Sequence, residues 1–159
     1  MKELKFKNIE KEIAKKKTLF NFYFDYKFSL KQLNKELTNS RILKPNTQED
    51  VKERLFLMKN IDRIVKKIKI DKGGRQCCFS LNYKDNFFTR CPSLIHFQID
   101  YYKLNMVVYM RSWNYLKNFQ YDIQTMSLLL YLVSKKLNKC PNKITFVVYS
   151  LHLNPTKNK

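Results

Sequence analysis

The sequence predicts one α+β domain. Three observations lead there. Residues 52–70 and 123–137 carry apolar side chains at helical spacing. Short β-branched and aromatic runs cluster between and after those helices. With 159 residues and 44% hydrophobic composition, the chain supports a single core of ordinary size, and disorder throughout is excluded.

Taken in order, residues 1–18 are lysine-rich with Glu3, Glu10 and Glu12 interspersed. They read as a basic N-terminal segment, a solvated helix or frayed end ahead of a single domain over residues 19–159. Residues 19–28 are aromatic and read as a strand. A short helix follows over 30–37, capped by Ser29. Residues 41–50, with Pro45 and Asn46, form the most loop-like stretch. In 52–70 the stripe Leu55, Met58, Ile61, Val65 and Ile68 defines one helix, which Gly73 and Gly74 end. Strands are expected over 75–82, 94–101 and 104–109, the last two as a hairpin. Ile123, Met126, Leu130, Val133 and Leu137 define a second long helix, with Asp122 as its cap and Lys135 and Lys136 in its last turn. A final buried strand spans 144–149.

The formal net charge of +19 makes phosphate-bearing partners attractive, nucleotides and nucleic acid among them. Part of that charge follows from a residue usage rich in Lys and Asn and poor in Ala, Gly and Arg. No run approaches the roughly 18–20 apolar residues of a membrane span, and the first residues alternate charge, unlike a signal peptide. Cys77, Cys78, Cys91 and Cys140 show no C-x-x-C spacing, and only His96 and His152 are available beside them. No metal site is therefore expected. Reduced thiols suit a cytoplasmic setting.

One set of motifs carries chemistry. Cys91-Pro92-Ser93-Leu94-Ile95-His96-Phe97 sets a Cys six residues before a Phe, and Tyr109-Met110-Arg111-Ser112 sets an Arg twenty residues after that Cys. Phe119-Gln120-Tyr121-Asp122-Ile123 opens the second long helix, and Ser150-Leu151-His152-Leu153-Asn154 closes the series. In order and spacing these resemble the nucleophile strand, Y-Q-R-S, P-F-N-I and D-x-H-x-Y motifs of thymidylate synthase and its relative deoxycytidylate hydroxymethylase. The resemblance is clearest over 75–154. It implies the thymidylate synthase-like fold, a mixed β-sheet flanked by helices, and a transferase that moves a one-carbon unit to C5 of dUMP or dCMP. It also implies methylenetetrahydrofolate as donor and a homodimer.

The same resemblance implies the site residues, and the chemistry gives each a reason. C5 of a pyrimidine is a poor nucleophile; a thiolate adding at C6, here from Cys91, makes C5 an enolate-like carbanion. Arg111 supplies a positive charge that favours the thiolate, and with Ser112 it resembles the family's phosphate clamp. Arg75 resembles an arginine lent to the partner subunit's phosphate, with Gln76 in place of the second one. Asp122 stands where thymidylate synthases have Asn and deoxycytidylate hydroxymethylases have Asp. Its carboxyl accepts from the cytosine amino group, which favours cytosine. His152 resembles the sugar-binding histidine, and Asn154 replaces its tyrosine companion. Asn114 stands where the family contacts folate, and Glu36 resembles the general acid/base glutamate. The Y-G-x-Q-W-R block and the C-terminal closing segment are not visible. Two other readings stay open: a noncatalytic homologue that keeps a nucleotide-binding or dimer scaffold, and a basic nucleic-acid-binding protein.

Overall fold

Along 104–110 and 144–148, aliphatic and aromatic residues recur at every second position, so each segment offers one apolar side. In a computed structural model of the chain, residues 1–16, 18–38, 48–71, 78–80 and 92–153 are described. Their helices are α1 (Ile9–Lys16), α2 (Leu30–Thr38), α3 (Gln48–Lys59), α4 (Ile61–Ile70) and α5 (Phe119–Leu137). Their strands are β1 (Lys2–Glu3), β2 (Thr18–Lys27), β3 (Cys78–Ser80), β4 (Leu94–Asp100), β5 (Lys103–Asn114) and β6 (Cys140–His152). The described strands form one mixed sheet in the order β1-β2-β6-β5-β4-β3. β5 and β6 are parallel and joined through α5, whereas β4 lies antiparallel to β5 and β2 antiparallel to β6.

Among the described residues, helices cover one side of this sheet and leave the other bare. Met106, Val108 and Met110 of β5, Phe146 and Val148 of β6, and Phe22 and Phe24 of β2 enter the core from the strands. Ile123, Met126, Leu130 and Val133 meet them from α5, as their spacing predicts. Trp113 is fully buried, its ring centroid 4.5 Å from that of Phe119 and 5.1 Å from that of Phe146. Much of the aromatic content therefore serves packing. The bare side carries polar pairs, with Lys143 Nζ 2.9 Å from Asp25 Oδ2 and Asn142 Nδ2 2.7 Å from Asn105 Oδ1.

The structure matches several local expectations and corrects others. Ser29 Oγ accepts from the Gln32 amide at 3.3 Å, the third residue of α2, as a cap should. The hairpin forms between β4 and β5, with Asp100 opposite Lys103 and only Tyr101 and Tyr102 between them. The first sixteen residues are not a frayed end: β1 pairs parallel to β2, and Leu4, Ile9 and Ile13 are buried in the main core. The stripe over 52–70 is two helices. Asn60 breaks it with φ −96° and ψ 4°, and its Nδ2 donates to the Phe56 carbonyl at 2.8 Å. That break turns Leu57 inward and leaves Leu55 52% exposed. Finally, α5 begins at Phe119, so Asp122 lies inside the first turns and its amide donates to the Asn118 carbonyl at 2.9 Å. Asp122 is not a helix cap.

Candidate functional site

Strand chemistry places Arg111 and Ser112 unusually. In a regular strand, consecutive side chains point to opposite faces, so one of the pair would enter the core. Here the inward-facing set runs Leu104, Met106, Val108, Met110 and then Trp113. The change of phase leaves both Arg111, which is exposed, and Ser112, half-buried, outside the core. β6 changes phase at the same level, from Val148 to Leu151, and β2 from Phe22 to Leu19. Pairing continues without slippage across this line, with Met110 opposite Val148 and Ser112 opposite Ser150, while Phe22 faces Val148 and Phe20 faces Ser150. Asn21 absorbs the change in β2 with φ 51°, a left-handed conformation that Asn tolerates better than most residues.

A cavity of about 320 Å³ opens on this line, lined by Asn21, Ser93, Tyr109, Arg111 and Tyr149 among others. The Ser93 amide and hydroxyl both donate to the Tyr109 carbonyl, at 2.8 and 3.1 Å. That double bond fixes the entry of the chain into β4 beside Arg111. Cys91, two residues earlier, lies outside the described residues, as do Arg75 and Asn154.

Of the remaining candidates, Asn114 and His152 lie at the same end of the sheet. β5 and β6 are parallel, so their carboxyl ends coincide, and α5 starts from that end; open mixed sheets bind ligands at such places. His152 sits directly opposite Asn114. Burial pushes the His152 imidazole below its ordinary pKa, which favours the neutral ring that both donates and accepts. Asn114 Oδ1 accepts from the Leu116 and Lys117 amides at 3.0 and 2.9 Å, so its oxygen shapes the turn into α5. Asp122 is buried, 5% exposed, in the helical layer and does not line the cavity at Arg111. Being acidic in the first turn of α5, it is favoured by the helix dipole. Glu36 lies in α2, which packs on α5. Among the described residues no group of His, Cys, Asp or Glu could hold a metal ion, and no helix is long and apolar enough to cross a membrane.

Motif reading missed Asn21, Tyr109 and Tyr149 as walls of the cavity. Tyr109 was within reach, because it shares Arg111's parity; Asn21 and Tyr149 become neighbours only through strand pairing.

Fold and site together define an α+β domain whose polar residues collect at the carboxyl ends of two parallel strands. The thymidylate synthase family model matches residues 15–157, and the chain belongs to the thymidylate synthase family. Among solved structures, thymidylate synthase from T4 phage aligns with a TM-score of 0.53 and 18% identity. That alignment covers 60% of this chain and 35% of the phage enzyme, so the chain spans about a third of its length and shares its fold. No curated protein matches.

Proposed function

We propose that this chain binds a pyrimidine deoxynucleotide monophosphate, dCMP or dUMP, and serves one-carbon transfer to its C5 with Cys91 as nucleophile. One observation carries the reading: Arg111 and Ser112, consecutive in β5, both leave the core at the phase change, beside the fixed start of β4. A guanidinium fork and a hydroxyl on adjacent residues suit a terminal phosphate. The chain that leads into Ser93 carries Cys91 two residues before it.

Each residue then has a role. The Cys91 thiolate adds to C6, its electron pair forming the new S–C bond while the ring's double-bond pair moves to C5 and its conjugated carbonyl or amidine. Neutral His152 holds a sugar hydroxyl, assisted by Asn154. The Asp122 carboxylate accepts from the exocyclic amino group of cytosine. Glu36, on the helix packed against α5, relays protons at the base. Arg75 contributes to the phosphate of a partner subunit. A second copy meets the bare side of the sheet, where Tyr109 is 39% and Tyr149 61% exposed; a monomer in sedimentation at micromolar concentration excludes that dimer.

Methylenetetrahydrofolate is the one-carbon donor that family membership suggests. Asn114 can meet its ring only as a donor. The Oδ1 that would accept from the pterin N–H groups already accepts two backbone amides, and Nδ2 can only donate. The pterin N–H groups then need acceptors other than Asn114, while Arg111, His152, Asp122 and Cys91 serve nucleotide binding, orientation and the thiolate.

The test is calorimetric. Nucleotide should bind more tightly than nucleoside, and Arg111→Ala should remove about 1.5–3 kcal/mol of that difference, roughly tenfold to a hundredfold in affinity. Equal weakening of nucleotide and nucleoside would show that Arg111 does not hold the phosphate.

A further inference from the structure

We infer that Arg54 is a positioning residue for the base, acting by fixing the first two turns of α5 and with them the aim of Asp122. The inference rests on the proposed reading of Asp122. Arg54 belongs to α3, yet its guanidinium carbon lies 4.3 Å from the centre of the Tyr121 ring on α5. From the same group, Nη2 and Nε donate to Thr125 Oγ1 at 2.9 and 3.2 Å. Tyr121 and Thr125 are one turn apart on a single helix face, and Asp122 sits between them, one residue after the first and three before the second. The fork thus grips the turn that carries the carboxylate. Tyr121 and Thr125 are both buried, so this grip lies in packed surroundings where roll of the helix is resisted from one defined point.

The residue type supports more than charge balance. Of 32 basic residues only six are arginines, so lysine is this chain's default cation. A lysine ammonium on a flexible stem cannot stack flat on a tyrosine ring and also hold a hydroxyl with two fork nitrogens. Arginine stands where planarity is used. Both of these contacts run to neutral groups on α5, so the guanidinium is used here for its shape as well as its charge.

The experiment measures dissociation constants for dCMP and dUMP on the full chain as parent, Arg54→Lys, Arg54→Met, Asp122→Asn and Ile13→Val. Ile13 is buried in α1, a helix that packs on β2, and its truncation controls for lowered stability alone. The parent should prefer dCMP, and both Arg54 variants should reduce that preference at least threefold, with the affinity gained from the phosphate unchanged. Ile13→Val should leave the preference as it is while lowering the melting temperature. A preference unaltered in Arg54→Lys and Arg54→Met overturns the inference, whatever their melting temperatures. Absence of binding by the parent overturns the proposed function instead. Parent binding with no shift in Asp122→Asn overturns the reading of Asp122, and Arg54 loses its role with it.

Discussion

Asn21 is where the sheet's change of phase can be perturbed most cleanly. Its φ of 51° lies in the left-handed region, which costs an ordinary L-residue roughly 1–2 kcal/mol and a β-branched one the most. Relaxing Asn21 to a regular strand conformation would be no escape. Leu19 and Phe22, both buried, lie three residues apart, and regular alternation would turn one of them out of the core. Asn21→Val should therefore lose about 2 kcal/mol of unfolding free energy, equivalent to about 4–8 °C in melting temperature for a domain of this size. Asn21→Gly has no Cβ to clash, and its added chain entropy limits the change to about 1 kcal/mol or less. Urea unfolding of parent, Gly and Val variants measures both values. Because Asn21 also lines the cavity at Arg111, the Val variant should lose part of the affinity that the phosphate contributes. Equal stability of the Gly and Val variants would refute the reasoning, since no left-handed position would then be under selection by sterics.

Two further predictions concern the base and the sugar. Asp122→Asn should shift preference from dCMP toward dUMP by about 1–3 kcal/mol, the usual cost of an unpaired buried polar group; an unchanged ratio of dissociation constants would remove the ground for preferring cytosine. His152 is held below its ordinary pKa by burial. Below about 6.5 the unfolded chain binds a proton that folded His152 takes up only at lower pH, so stability should fall as pH drops through that window. The penalty is absent above the unfolded value and complete below the folded one. His152→Gln should flatten this limb in denaturant titrations between about pH 7.5 and 5, and an unchanged slope would assign the acid sensitivity elsewhere.

The core of α5 was legible because Ile123, Met126, Leu130 and Val133 obey one period and face one sheet. The hairpin was legible because two β-rich runs flank a very short connection. Other features hide for definite physical reasons. Three apolar residues, Leu4, Ile9 and Ile13, bind the N-terminal segment to the core, and the lysines around them dominate any composition window. Helical spacing persists across Asn60, so the break between α3 and α4 leaves no gap in the pattern. The change of phase at Arg111 is invisible along one strand and becomes evident only when β2, β5 and β6 are aligned by their pairing. For the candidate site, motif order points to Arg111, Ser112, Asp122 and His152. Asn21 and Arg54 reach their neighbours through contacts between distant segments, which no local pattern records.

The proposed action of a Cys91 thiolate on the pyrimidine ring of a bound nucleotide leaves a trace at C5. Its most direct measurement is release of tritium from dCMP and dUMP labelled at C5, by the parent and by Cys91→Ser, with binding of each nucleotide followed in parallel. Addition at C6, protonation at C5 and reversal exchange that hydrogen with water, so the parent should release label. Cys91→Ser should bind nucleotide and release none. Release undiminished in Cys91→Ser, or nucleotide binding by the parent with no release at all, would contradict the claim and leave a noncatalytic nucleotide-binding member of the family.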